Sequence, residues 1–403
     1  MYFPGLNGLR FFAALAVIFT HVELMKKLTG HENLWIDSGS RVSSFAYQHI
    51  LNGDFHWASP LVAEAGPLGV IFFFVLSGFL ITYLLLVEKA ETGTVGVRSF
   101  YLRRIYRIWP LYFLVFLVGF FVLPHSNLFY VRGQSESLQE NFYPNFWCYL
   151  LFLPNLAYSL FMAVPNIGQS WSIGVEEQFY LIWPVIIKYF RKTMTALLVV
   201  TAALLGLKVG VLLLGKIMEA SWLVPLQKFL AMSKIECMTL GGMGAYLVYH
   251  KKAAGLRIIY SIPVQLLAYL GIPFLLYFSP SIIQNGIHLA FGTCFLVIIL
   301  NVSGNPQSLL SLENRFFHFL GKISYGIYMY HLMCVVFSIH LLERAMHFEM
   351  QLTGPQNLAV YVLSISLTLF ISYLSYEFFE KRFIRLKKGV TRVISGDEAR
   401  SDS

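Results

Sequence analysis

The sequence predicts an all-α fold: a polytopic helical membrane bundle of about ten transmembrane helices plus one re-entrant segment, with both termini cytoplasmic. Of the 403 residues, 57% are hydrophobic and only 13% are charged, whereas about a quarter of the residues in a soluble domain are charged. Several apolar runs approach the roughly 20 residues that a helix needs to cross the hydrocarbon core. Because backbone groups in lipid must be satisfied internally and strand-like alternation is absent, helices are the expected spanning elements.

The apolar runs divide the chain into ten spans, each long enough to be considered a transmembrane helix. In chain order they are residues 6–26, 67–88, 108–124, 171–190, 194–216, 235–250, 258–278, 283–302, 319–342 and 358–379. No internal repeat relates them. We expect residues 1–386 to form one membrane domain in the plasma (inner) membrane, followed by a polybasic, disordered cytoplasmic tail at residues 387–403.

Basic residues set the predicted direction of these spans. The formal charge of +9 does not call for a nucleic-acid partner, because most basic residues flank apolar runs and the positive-inside rule explains them better. Four such clusters mark cytoplasmic segments. They are Lys89, Arg98, Arg103, Arg104 and Arg107 between the second and third spans, Lys188, Arg191 and Lys192 after the fourth, His250, Lys251, Lys252 and Arg257 after the sixth, and Lys381, Arg382, Arg385, Lys387, Lys388 and Arg392 in the tail.

Residues 146–163 do not fit a simple alternation of spans. They are apolar enough to cross the bilayer, but counting them would place Arg191 and Lys192 outside, against the charge rule. Pro154 and Asn155 interrupt the run at its centre. A re-entrant hairpin reconciles the charges with the hydropathy; the alternative is eleven spans with one terminus outside.

Arg10 and His21 lie in the first span, where an ionisable residue is by default a functional-site hypothesis. Arg10 and His21 are eleven positions apart, so they share one helical face and are separated by about 16 Å along the axis. Alternatively, Arg10 is an interfacial residue that sets topology, and His21 is a hydrogen-bonded structural histidine.

The fourth span carries Glu176, which we expect at about the same depth as His21. A carboxylate beside an imidazole can fix its tautomer, which is what a general base needs. The alternative is helix-start electrostatics, since Ser172 followed by Glu176 and Glu177 also suits an N-terminal turn. One carboxylate could cap the helix while the other serves catalysis.

Arg103, Arg104 and Arg107 precede the third predicted span and share faces of a helix at spacings of three and four. Guanidinium groups bind phosphate through two parallel hydrogen bonds, so these arginines are candidates for holding a polyphosphate nucleotide. From charge alone, a purely topological role is the better explanation.

Further candidates lie in the second and ninth spans. Ser77 and Gly78 interrupt a wall of bulky residues, which allows close approach of a slim ligand or, more commonly, of another helix. Ser324, Tyr325, Tyr328 and His331 recur at helical spacing along one polar stripe. Taken alone, each group is better explained as structural.

Together these residues make the chain resemble the acyltransferase-3 family of bacterial membrane acyltransferases, from residue 6 to about residue 385. Five motifs carry the resemblance, and they occur in the family's order. They are Arg10 with His21, residues 74–78 (FVLSG), Arg104 and Arg107 followed by Pro110 and Tyr112, residues 171–180 with Ile173 at the family's leucine position, and Ser324-Tyr325 to His331. Singly these motifs are weak, but together they make a strong match.

The resemblance implies an acyl-CoA donor, usually acetyl-CoA, that enters from the cytoplasm as a co-substrate. It implies an acceptor hydroxyl on a polysaccharide or glycolipid at the outer side, and it implies neither a permanently bound cofactor nor a metal. His21 corresponds to the family's catalytic histidine, and the arginine motif to its proposed donor-binding element. Since some relatives carry an additional extracytoplasmic hydrolase-like domain, a separate extracytoplasmic transferase is a candidate partner.

The resulting hypothesis is an O-acyltransferase in which His21, oriented by Glu176, removes the proton of the acceptor hydroxyl. Arg10, Arg103, Arg104 and Arg107 are assigned to acyl-CoA. The candidates for the substrate pocket are Ser77, Gly78, Trp171, Ser172, Tyr180, Tyr325, Tyr328 and His331. Ser172, Tyr180 or Tyr328 would donate to the developing oxyanion.

Two other function classes stay open. In a multi-pass transporter or flippase, His21 and Glu176 would relay protons, but the lack of repeats argues against it. A membrane scaffold without chemistry leaves two ionisable residues on one stripe of the first span unexplained. Consumption of acetyl-CoA separates an enzyme from a carrier.

Overall fold

The computed structural model describes residues 2–31, 58–218, 220–278 and 286–386, and all of its regular elements are helices. No β-strand occurs in these four ranges, as the sequence predicts. The predicted tail at residues 387–403 lies outside them. In chain order the helices are α1 (Leu6–Leu28), α2 (Ala58–Thr92), α3 (Val97–Phe121), α4 (Gln134–Glu140), α5 (Phe142–Leu150), α6 (Pro154–Leu160), α7 (Trp171–Tyr189), α8 (Thr193–Ile217), α9 (Leu223–Met232), α10 (Ile235–Tyr249), α11 (Ala253–Ile259), α12 (Ile262–Phe278), α13 (Ile287–Gly304), α14 (Arg315–Lys322), α15 (Ser324–Met346), α16 (Gly354–Ser375) and α17 (Lys381–Leu386).

Among the described residues, seven helices are long and apolar enough to cross a membrane, and an eighth crossing results if the bent pair α11–α12, with its 54° angle, forms one span. The two remaining predicted spans correspond to α7 and α10. Helix α10 has only 15 residues, about 22 Å at 1.5 Å per residue. Helix α7 carries two carboxylates and is therefore less apolar. The number of ten spans and the position of the termini stay predictions.

The segment at residues 146–163 forms no continuous span. It contains the end of α5, all of α6 and a break at Phe152, whose φ of 59° lies in the left-handed region. Proline at the start of α6 ends any continuation of the preceding helix, because it lacks an N–H and restricts the residue before it. With 9 and 7 residues, neither helix can cross a bilayer alone.

Helix α2 lies at the centre of the bundle and packs against α1, α7, α10 and α13. Two thirds of its apolar window is buried, compared with 11% for α8, which leaves α8 to face lipid. The closest approach is to α10. A Cβ on Gly78 would lie 1.9 Å from the carbonyl oxygen of Met238, and a Cβ on Gly241 would lie 2.0 Å from that of Val75. Gly78 therefore serves helix packing, the commoner of the two explanations, and is not among the residues that line the cavity described below; its place in the substrate pocket stays a prediction.

Replacing Gly78 with alanine is expected to lower the free energy of unfolding by about 3 kcal/mol, because the added methyl forces α2 and α10 apart. The matched control is Gly206→Ala on α8, where a Cβ would meet nothing within 4 Å. The measurement is the unfolding midpoint of detergent-purified protein. Equal midpoints for the two variants would contradict the tight crossing.

The connection between α2 and α3 is much shorter than predicted, because α3 begins at Val97. The predicted loop residues from Arg98 to Arg107 are therefore helical. Arg103 donates to Glu88 at 2.8 Å, and the same carboxylate accepts from the backbone N–H of Gly96 at 2.9 Å. Arg103 is thus a buried structural residue that fixes this turn. It is not among the residues that line the cavity described below, and its assignment to acyl-CoA binding stays a prediction.

Candidate active site

Five helices, α1, α2, α3, α7 and α15, surround one cavity of about 130 Å³. It collects side chains that are far apart in the sequence. Nine of the predicted site residues line it: Arg10, Ser77, Arg104, Arg107, Ser172, Glu176, Tyr180, Tyr325 and Tyr328. The remaining wall is mostly apolar, from Val70 and Phe73 on α2 to Ile108 on α3. Each of the five sequence motifs therefore contributes at least one residue to this cavity.

Helix α3 brings two arginines to the cavity. Neither Arg104 nor Arg107 forms a salt bridge in the described part of the chain. The guanidinium of Arg104 lies over the rings of Phe100 and Tyr180, 5.6 and 5.8 Å from their centroids. Its Nε is buried without a hydrogen-bond partner. A buried, unpaired cationic donor is costly, so this wall is suited to an anionic ligand.

Arg10 reaches the same cavity from α1, and its NH1 donates to Asn7 Oδ1 at 3.0 Å. Asn7 lies one turn earlier on the helix, so the bond holds the arginine side chain along the surface of α1. The sequence places Arg10 on the stripe of α1 that also carries His21. In the structure, Arg10 lines the cavity and His21 contacts His331 of α15.

Glu176 lies on the cavity wall beside the arginines. It accepts hydrogen bonds from the hydroxyls of Ser77 at 3.1 Å and Tyr180 at 2.8 Å. Arg104 and Arg10 are the cations whose charges act on it. Since α7 begins at Trp171, Glu176 is more than one turn inside the helix and caps nothing.

The neighbouring carboxylate has a different environment. Glu177 accepts from the indole N–H of Trp109 at 3.1 Å, and its second oxygen is buried without a partner. Sequence reasoning offered a capping role for one of the two carboxylates. That role is wrong for both. Each carboxylate accepts hydrogen bonds from side chains, and neither accepts one from a backbone N–H of the first turn of α7.

Two hydroxyls meet at one end of the cavity. Ser172 and Tyr328 are 2.6 Å apart, oxygen to oxygen, and Tyr328 also donates to the carbonyl of Gln169 at 3.2 Å. The ring of Tyr328 packs against Phe73, with 5.8 Å between centroids. These side chains close the cavity toward the two histidines described next.

His21 lies beside His331 rather than beside Glu176. His21 Nδ1 is 2.8 Å from the carbonyl oxygen of Val17 and 3.3 Å from His331 Nε2. The predicted pairing of His21 with Glu176 is therefore wrong. The reason is the depth of the two residues in the bundle. Glu176 lies at the level of Arg10, and Arg10 is about 16 Å from His21 along the axis of α1.

The tautomer of His21 follows from these contacts. A carbonyl oxygen only accepts hydrogen bonds, so Nδ1 of His21 carries the hydrogen that Val17 receives. In the neutral ring, Nε2 then has the free lone pair. Nε2 has no hydrogen-bond partner among the described residues, and the ring is partly exposed. His21 is thus in the form that can accept a proton at Nε2.

Neither histidine lines the cavity. The ring of Tyr328 lies between, since it contacts His331 with 5.7 Å between centroids as well as Phe73. Of the predicted pocket residues, His331 is completely buried beside Tyr328, and Trp171 is also outside the lining and packs edge-on against Phe74. Sequence reasoning missed the contact between His21 and His331, and no local spacing could have revealed it.

A comparison with known proteins identifies the family to which the chain belongs. A sequence model described as an acyltransferase domain matches residues 3–377. The O-acetyltransferase OatA of Staphylococcus aureus (strain NCTC 8325 / PS 47) is 25% identical over 397 residues, which cover 94% of this chain and 57% of that protein. The peptidoglycan O-acetyltransferase OatA of Listeria monocytogenes is 26% identical, with 94% of this chain and 55% of that protein covered.

A third relative is the putative peptidoglycan O-acetyltransferase YrhL of Bacillus subtilis (strain 168). It is 27% identical to this chain, with 94% of this chain and 54% of that protein covered. The chain therefore spans a little over half the length of these curated relatives. No solved structure matches it.

Proposed function

We propose that this chain, which belongs to the acyltransferase-3 family, transfers an acyl group from acyl-CoA to a hydroxyl of a cell-envelope glycan or glycolipid. The preferred acyl group is acetyl. The names of its relatives support an O-acetyltransferase, and two of those names support peptidoglycan as the acceptor. The transfer would take place in the plasma membrane, with the donor supplied from the cytoplasm.

One observation carries the proposal: Arg104 and Arg107, which form no salt bridge with a described carboxylate, line one cavity together with Arg10, and the Ser172 and Tyr328 hydroxyls of the same cavity lie next to a pair of histidines. Arg104 and Arg107 would bind the phosphates of the donor at the basic end. The volume of about 130 Å³ is below the roughly 300–1,000 Å³ of a pocket for a drug-sized ligand. The cavity as it stands is too small for the whole donor, so the phosphates would lie at its basic end beside Arg104 and Arg107 and the adenosine would stay outside.

The reaction follows from the chemistry of the residues at the closed end. His21 Nε2 would take the proton of the acceptor hydroxyl while its oxygen attacks the thioester carbonyl. The carbon–sulfur bond breaks, and the proton passes to the departing thiolate of coenzyme A. Ser172 or Tyr328 would donate a hydrogen bond to the oxyanion. Because the Tyr328 ring separates the cavity from the histidines, this side chain must move during transfer.

The test uses the purified chain in liposomes with acetyl-labelled acetyl-CoA and peptidoglycan fragments as acceptors. We expect ester-linked label in the acceptor and release of free coenzyme A. A transporter or flippase would leave acetyl-CoA intact. Coenzyme A release no faster than in protein-free liposomes, with and without acceptor, would refute the proposal.

Replacing Arg104 or Arg107 with glutamine is expected to raise the KM for acetyl-CoA about 10–100-fold, the range for losing a hydrogen bond to a charged group. The kcat should change much less, because these residues would bind the donor and not the reacting atoms. The control is Arg98→Gln, which removes an exposed arginine from the same helix. An equal rise of KM in the control would point to general surface charge and against a phosphate site.

A further inference from the structure

We infer that His331 is a positioning residue for His21: its Nε2 accepts a hydrogen bond from His21 Nδ1–H and so holds the His21 ring with Nε2 directed to the acceptor. The inference rests on the proposed function, since it takes His21 as the general base. It reassigns His331 from the substrate pocket to a place behind the reacting groups.

The hydrogen bonds of His331 determine its role as an acceptor. His331 is 0% exposed, and its Nδ1 lies 2.7 Å from the carbonyl oxygen of Tyr328. Since a carbonyl cannot donate, Nδ1 of His331 carries the hydrogen. The neutral ring then has a lone pair at Nε2, and this atom is 3.3 Å from His21 Nδ1. Burial favours the neutral form of such a ring over the imidazolium.

The same pattern continues into His21. Its Nδ1–H is shared between Val17 O and His331 Nε2, which leaves His21 Nε2 free to accept a proton. When His21 becomes an imidazolium, both of these acceptors bind a charged donor, and charge-assisted hydrogen bonds are about twice as strong as neutral ones. His331 therefore favours the charged form of His21 that exists only after proton abstraction.

The proton balance needs no titration of His331. The proton leaves the acceptor oxygen, resides on His21 Nε2 and then joins the sulfur of the departing thiolate. His331 keeps one hydrogen, on Nδ1, throughout. A bond that is stronger after proton abstraction than before it affects kcat and not the affinity for the donor.

The competing explanation is structural: His331 would only satisfy the carbonyl of Tyr328, three residues earlier on α15. Two amide side chains separate the explanations. Asparagine places its N–H donor where Nδ1 stands and lacks any atom at Nε2. Glutamine places an amide oxygen near the position of Nε2, where it can accept from His21.

The experiment compares kcat and the KM for acetyl-CoA in His331→Gln, His331→Asn and wild-type protein, each taken from the monodisperse fraction in detergent. We expect His331→Asn to lower kcat about 10–100-fold, as for loss of a charge-assisted bond, with the KM within about threefold of wild type. His331→Gln should retain most of the kcat that His331→Asn loses. The control is His340→Asn, another histidine of α15 (Ser324–Met346).

Three outcomes would overturn the inference: wild-type kcat in both variants, equal losses in both, or better retention in His331→Asn. A second measurement needs no variant at position 331. Nitrogen-15 spectra of histidine-labelled protein, with His21 assigned through His21→Asn, should show His21 neutral and protonated at Nδ1; protonation at Nε2 would overturn the inference. The proposed function fails separately, if the wild-type protein releases coenzyme A no faster than protein-free liposomes; full activity in His21→Asn would remove only the assignment of His21 as the base.

Discussion

Replacing His21 with asparagine is expected to lower the kcat of acetyl transfer by about 10²–10⁴-fold, the usual contribution of a positioned general base. Asparagine keeps an N–H donor near the place of Nδ1, so the hydrogen bonds to Val17 O and His331 can persist. What disappears is Nε2, the atom that would accept the proton. The variant therefore removes the base and leaves the packing of α1 largely unchanged.

The measurement is the rate of acetyl ester formation on the acceptor, together with the dissociation constant for acetyl-CoA. We expect the dissociation constant to change little, because His21 is separated from the arginine-lined cavity by Tyr328. The matched control is His347→Asn. His347 is exposed and has a φ of 48°, a left-handed conformation that asparagine adopts readily. Ester formation within about threefold of wild type in His21→Asn would exclude His21 as the base.

Helical spacing predicted the arginines of the cavity only in part. Arg104 and Arg107, which are three apart, line one cavity, whereas Arg103, which the same argument grouped with Arg107, is not in that lining and pairs with Glu88. Apolar runs and helical spacing also predicted most of the long helices. These are local properties, because they follow from the geometry of one helix and the composition of its own residues.

Contacts between helices could not be predicted in this way. His21 and His331 are 310 positions apart, and their contact depends on how α1 and α15 are shifted along their axes. The predicted pairing of His21 with Glu176 failed for the same reason, since an error of three turns moves a residue by about 16 Å. Gly78 and Met238 likewise meet only because α2 and α10 cross there.

A buried ion pair of α1, which sequence reasoning did not identify, also fixes this depth. Lys26 and Glu23 are both completely buried, with 2.6 Å between Lys26 Nζ and Glu23 Oε1. Lys26 also donates to Asn357 at 2.7 Å, and Tyr361 donates to Glu23 at 2.6 Å. Because Asn357 and Tyr361 belong to α16, the pair ties the end of α1 that follows His21 to α16.

Replacing Lys26 with methionine is expected to lower the free energy of unfolding by about 3–5 kcal/mol, because Glu23 would be left as an uncompensated buried charge. The double variant Lys26→Met with Glu23→Gln should regain much of that loss, since it removes both charges. The measurement is the unfolding free energy of the protein in detergent. Acetyl transfer should fall together with the folded fraction.

A second lysine–glutamate pair, which is exposed, provides the control for this prediction. Lys381 and Glu377 are also within hydrogen-bond distance, at 2.5 Å, but their side chains are 36% and 30% exposed. Water solvates these charges in both the paired and the unpaired state, so Lys381→Met should cost no more than about 1 kcal/mol. If the two methionine variants lost equal stability, burial would not be what makes the α1 pair important. The depth of His21 would then have to be fixed by the packing of α1 against α2 and α15 alone.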